Sequence, residues 1–167
     1  MRSVRRTRPP VTVGKGERLL AWAPVDGGGW AAGTRDALYL LDRRVPWEQV
    51  QTADWDRDEG RLRVSEVGAW GRPRPQHTLT IPDTAAKDAD RLLQLLRERV
   101  TASVLLSRHV PVTGRRGVRI IARRAPSGRS DVQWLYEYDE GVDPEDPFVR
   151  AAAETALAAA QADVGAT

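Results

Sequence analysis

No cysteine occurs among the 167 residues of this chain. A disulfide framework and thiolate chemistry are therefore excluded, and any metal site must do without sulfur. Asparagine is also missing, and lysine is reduced to Lys15 and Lys87, so arginine carries nearly all the positive charge. This bias reads as the imprint of a GC-rich genome, and arginine abundance must be discounted accordingly when nucleic-acid affinity is judged. No run approaches the roughly 18 apolar residues that a membrane span requires. The N-terminal MRSVRRTRPP has charge but lacks the apolar segment and cleavage site of a secretory signal, so the expectation is a cytoplasmic protein.

What remains has the composition of a soluble globular protein, 41% hydrophobic and 29% charged, long enough for one domain or a domain with an appendage. The net charge of +3 is unevenly spread. Six basic residues stand against Glu17 alone in positions 1–18; seven arginines and no acid run from Arg108 to Arg129; seven acids and no base follow from Asp131 to Asp146. Such asymmetry fits a polyanion-binding surface or neighbouring strands that pair their charges, and the strand pattern favours pairing.

Residues 1–15, rich in arginine, proline and glycine without apolar periodicity, are expected to be a flexible basic tail. ERLLAWAPV reads as a strand, DGGG as a turn, WAAGT and ALYLL as the next strands of an antiparallel meander. In RRVPWEQVQTADWD the apolar spacing breaks: Val45 and Trp47 are two apart, Trp47 and Val50 three, Ala53 and Trp55 two. Pro46 lacks the N–H of a central ladder position. The segment is therefore read as a corner, with a strand, a turn at PWEQ and a new strand from Val50 to about Asp56. Pro46, Trp47, Val50 and Trp55 are scaffold residues on this reading, Trp47 as the corner plug and Trp55 as a second core contact.

RLRVSEV and HTLTIP are further strands around a Gly/Pro loop that carries Trp70. Asp83 or Thr84 is expected to cap a helix whose stripe is Ala89, Leu92, Leu93, Leu96 and Val100. From about Ser103 the period changes to that of a strand, and VRIIARR and VQWLYEY complete a C-terminal meander. Val118, Ile120 and Ala122 share a face, as do Trp134, Tyr136 and Tyr138. Asp146 and Pro147 are suited to cap and begin a final alanine-rich helix with a narrow face of Val149, Ala152, Ala153, Ala156, Ala160 and Val164.

The order and spacing of ERLLAW, GGWAAGTRDALYLL, RVPWEQVQTADWD, RLRV, HTLTI and DADRLLQLLRERV resemble bacterial PH-like and GRAM-like domains over about residues 16–102. The best-matching pieces are Thr34 with Leu38 and Tyr39, then the VPWEQV corner. The resemblance implies a PH-like bent antiparallel sheet or barrel capped by one helix; residues 103–167 lie outside it and read from their own pattern as a C-terminal β-meander with a final helix, packed on the first part, so that the whole is expected to be α+β. Fewer strands are counted than the seven of a full PH barrel. PH-like folds serve as lipid binders, docking modules and oligomerisation units. The phosphoinositide site of the eukaryotic members needs bases in the first strand–strand loop, but PVDGGGW has Asp26 and no base.

No catalytic motif is found, and no catalytic residue, metal ligand or cofactor site is assigned. His77 and His109 have no neighbouring nucleophile or carboxylate in sequence. YDEGVDPEDP lacks the ligand alternation of a calcium loop, and Asp54, Asp56, Asp58 and Glu59 are read as solvated. Two binding functions remain. One is a non-enzymatic interaction module that takes a protein partner or a second copy of itself, with Trp70 as an exposed anchor; Trp134, Tyr136 and Tyr138 are read as core, with interface anchors as the alternative. The other is binding of nucleic acid or an anionic membrane surface through Arg115, Arg116, Arg119, Arg123 and Arg124, joined by the N-terminal tail.

Overall fold

A computed structural model describes residues 8–68 and 75–165. The chain divides into two compact units, Met1–Thr101 and Ala102–Thr167. Among the described residues it is an α+β protein with ten strands in three antiparallel sheets, two α-helices and no closed barrel.

Among the described residues the N-terminal unit contains seven strands. Strands β1 (Ala21–Pro24), β2 (Trp30–Gly33), β3 (Ala37–Leu40) and β4 (Arg43–Pro46) form a four-stranded meander. Strands β5 (Val50–Asp56), β6 (Arg61–Glu66) and β7 (Gln76–Thr80) form a second meander of three. The corner lies where the broken period places it: β4 ends at Pro46, a 3-10 turn spans Trp47–Gln49, and β5 starts at Val50. Trp47 and Val50 are fully buried. The indole N–H donates to the Thr34 carbonyl at 3.0 Å, so the plug is satisfied as well as packed.

Helix α1 (Ala86–Ser103) follows a 3-10 turn at Asp83–Ala85. No side chain caps that turn, which corrects the expectation that Asp83 or Thr84 would do so. The tight turn itself supplies the first bonds: Ala85 N–H donates to the Pro82 carbonyl. Ala89, Leu92, Leu93 and Leu96 enter the core with Val100 at its margin. Leu95 joins them from outside the stripe. Its methyl group occupies the space beside Gly33, where a Cβ would lie 2.6 Å from it.

A smaller apolar cluster covers the other face of the first sheet, formed by Leu19, Ala32, Ala37 and Tyr39 with Val11, Val13 and Trp22 against it. Residues assigned by their composition to a tail thus contribute cover from Pro9 onward, and Pro9 itself is buried. Their apolar side chains are too widely spaced among glycines, prolines and charges to give a period.

In the C-terminal unit, β8 (Val104–Thr113), β9 (Arg116–Arg123) and β10 (Gln133–Tyr138) form a meander in the order β10-β9-β8, followed by α2 (Pro147–Gly165). Register pairs Trp134 with Ala122, Tyr136 with Ile120 and Tyr138 with Val118, so one face of the sheet is apolar. Helix α2 packs on it through Ala153, Ala156, Leu157 and Ala160. Asp146 Oδ1 accepts the Phe148 N–H at 2.8 Å, giving the cap that the sequence announces, with Pro147 in the first helical position.

Candidate interaction surface

The five arginines proposed as a polyanion surface do not converge. Arg115 and Arg116 are exposed at the β8–β9 turn, and the Arg116 guanidinium lies against Gly141. Arg119 is exposed at mid-strand but stands between His109 and Glu137 in register. Arg123 is buried, only 4% exposed, with its Nη1 on the Ser103 hydroxyl at 3.2 Å. Burial lowers its pKa, and the Glu137 charge opposes that shift. Arg124 is half-buried. By strand alternation, Arg119 and Arg123 point to the face opposite Val118 and Ile120, while Arg116 and Arg124 share the latter's parity. Trp70 lies outside the described residues.

Neither histidine stands alone. His77 Nε2 lies 2.6 Å from Glu66 Oε2, and Arg43 grips the same carboxylate at 2.7 and 2.8 Å. These bonds, Arg43's foremost, hold Glu66 below the usual carboxylate range against the opposing effect of burial. His109 Nε2 lies 2.7 Å from Asp139 Oδ2, which also accepts the Gly117 N–H. Glu66 comes from the neighbouring strand β6 and Asp139 from the residue just after β10, eleven and thirty residues away. Sequence proximity therefore misses them. Each carboxylate is shared, Glu66 with Arg43 and Asp139 with the Gly117 amide.

A further carboxylate, its side chain buried, organises the N-terminal end. Glu17 accepts the Tyr39 hydroxyl at 2.6 Å, the Thr34 hydroxyl at 2.8 Å, the Gly14 N–H at 2.9 Å and Arg44 at 3.2 Å through two nitrogens. Burial raises its pKa, but the bonds from Arg44, Tyr39 and Thr34 outweigh that and lower it to about 2. Thr34 and Tyr39, prominent in the sequence resemblance, are thus ligands of one structural carboxylate.

Concave surface of the N-terminal unit surrounds Trp55. Strand β5 is the outer strand of its sheet and carries a ladder on one side only among the described residues. Ala53 and Trp55 turn inward and pack at the margin of the core, while Thr52, Asp54 and Asp56 are exposed. Trp55 is half-buried and forms a shared wall of three hollows of about 320, 290 and 560 Å³. The largest runs from Trp55 and Arg57 to Leu93, Gln94 and Arg97 on α1. Arg57 reaches Asp90 at 3.9 Å, with both side chains largely exposed.

No protein-family model, curated protein or solved structure matches this chain.

The surface at Trp55 has to be understood from its own chemistry. An edge strand offers a row of backbone donors and acceptors to another extended chain. The indole and Leu93 offer apolar area, and Arg57, Arg97, Asp90 and Gln94 form a polar rim, the arrangement that interfaces favour. By sequence Trp55 is a scaffold residue because it sits after the bend, where a second core contact is expected. Its partial exposure follows from β5 being an edge with α1 beside it, and both are tertiary facts.

Proposed function

We propose that the chain is a non-enzymatic, PH-like interaction module that binds an extended segment of a partner protein along the outer edge of β5, beside α1. Four strands, then three, then a single helix are in keeping with the PH-like resemblance. The observation that carries the reading is the position of Trp55: a half-buried indole on an edge strand, with concave surface on three sides. Aromatic residues that are anchored on one side and open on the other are common centres of binding energy. The scattering of Arg115, Arg116, Arg119, Arg123 and Arg124 over two faces, with one of them buried, weighs against the polyanion alternative.

The test is selection from a displayed library of linear peptides on the full chain, followed by titration and hydrogen exchange. Selected peptides are expected to slow exchange of the amides of residues 52–56. Trp55→Ala should weaken their binding at least tenfold, or about 1.4 kcal/mol. The reading is overturned if no peptide is selected, or if Trp55→Ala leaves binding unchanged. Binding to RNA or acidic vesicles at low salt, in the absence of peptide binding, would put the polyanion function in its place.

A further inference from the structure

The direction of the hydrogen bonds around β6 fixes which main-chain groups of β5 are open. The Glu66 N–H donates to the Pro75 carbonyl on the β7 side, and the Val67 N–H donates to Gln49 on the β5 side. At the other end of the ladder the Ile81 N–H donates to Gly60. Main-chain groups alternate along an antiparallel strand, so the residues of β6 that bond to β5 are Arg61, Arg63 and Ser65. Their register partners are Asp56, Asp54 and Thr52, which therefore turn their peptide groups into the sheet. Ala53 and Trp55 turn theirs outward, where no described strand meets them.

The side chains divide in the same rhythm. Ala53 and Trp55 pack at the margin of the core, and the exposed face between them carries Asp54, flanked by Thr52 and Asp56. Asp56 Oδ1 accepts the Asp58 and Glu59 N–H groups at 3.1 Å and closes the turn to β6. Arg61, its register partner, is drawn to Glu59 at 2.7 Å. Asp54 stands across from Arg63 in register and forms no ion pair among the described residues.

We propose that the partner segment bound along β5 carries the pattern apolar–basic–apolar, with a lysine or arginine opposite Asp54 and apolar residues opposite Ala53 and Trp55. This rests on the reading of the edge as a peptide-binding site and adds the chemistry of the partner. An antiparallel segment exchanges main-chain bonds with Ala53 and Trp55 and leaves Asp54 in a non-hydrogen-bonded pair, where Cα atoms approach to about 4.5 Å and side chains are closest. A basic side chain there meets the Asp54 carboxylate directly, with Asp56 on the diagonal. Its two apolar neighbours point to the α1 side, where Trp55 and Leu93 wall the hollow of about 560 Å³. Charge argues against a second copy as the occupant. Pairing β5 antiparallel with itself through both Ala53 and Trp55 sets Asp54 against Asp54, and like charges directly opposite are destabilising.

Linear peptides selected from a displayed library on the full chain should be enriched in lysine or arginine at one position between two apolar residues. Exchanging that residue for glutamate in a selected peptide should weaken binding about fivefold, because an attraction is lost and a repulsion gained. Asp54→Lys should invert the preference and Asp54→Asn should remove it, both with the parent's melting temperature, since the side chain is exposed. Residue-resolved hydrogen exchange in the complex should slow at the Ala53 and Trp55 amides more than at Asp54, which is already bonded to β6. Peptides that bind through Trp55 without a basic preference, or with one that Asp54→Lys leaves in place, overturn the inference and leave peptide capture standing. Failure to select any peptide removes both. Concentration-dependent protection of Ala53 and Trp55 in the absence of peptide makes a second copy the occupant and likewise overturns the inference.

Discussion

Glu17 is the only acid among the first 18 residues, and its carboxylate collects donors from Gly14, Thr34, Tyr39 and Arg44. Its side chain is 5% exposed. Replacing it by glutamine removes the charge that Arg44 needs while retaining the shape. Glu17→Gln is expected to lower stability at neutral pH by about 3 kcal/mol, the order of the free-energy equivalent of its lowered pKa. Urea denaturation of the two proteins side by side measures this, and equal midpoints would refute it. At this scale the sequence is a poor guide. Thr34, Tyr39 and Arg44 are separated from Glu17 by 17, 22 and 27 residues, and nothing local records that they will meet it. The same holds for His77 with Glu66 and His109 with Asp139.

Elements were far more legible than partners. The corner at Pro46–Val50 could be read because a break in apolar period coincides with a residue that cannot donate to a ladder. The α1 stripe and the Asp146 cap could be read because each depends on neighbours within one or two turns. Leu95 could not, because its burial depends on Gly33 in β2 having no side chain. A second glycine sets the tightest strand contact. A Cβ on Gly117 would stand 2.7 Å from Pro111 Cα and closer still to the Val110 carbonyl oxygen, both backbone atoms of β8. Gly117→Ala must therefore move β8 or β9, at the upper end of the roughly 1–3 kcal/mol typical of overpacking. Hydrogen exchange should show the loss concentrated in the β8–β9 ladder, and a variant with unaltered protection there would show that the strands yield without cost.

At the scale of the whole molecule, several ion pairs join charges far apart in the sequence. Arg43 meets Glu66, Arg44 meets Glu17, and Arg108 meets Asp163. Glu17, Glu66 and Asp139 all have lowered pKa values, so both units contain carboxylates that bind protons more readily once unfolded. Their stabilisation is complete above the unfolded pKa and is lost as pH falls through the folded one. The melting temperature should therefore decline as pH drops from about 4.5 towards 2, with proton uptake on unfolding in that range. A flat profile there would refute the role given to these groups. The amino-acid sequence by itself determined where chain direction changes, which faces are apolar and where helices begin, because these follow from backbone chemistry and spacing over a few residues. Only the tertiary structure decided that β5 is an edge, that Arg123 is buried, and that Trp55 and the outer side of α2 remain open. Exposure is a property of what other elements leave uncovered, and no local pattern contains it.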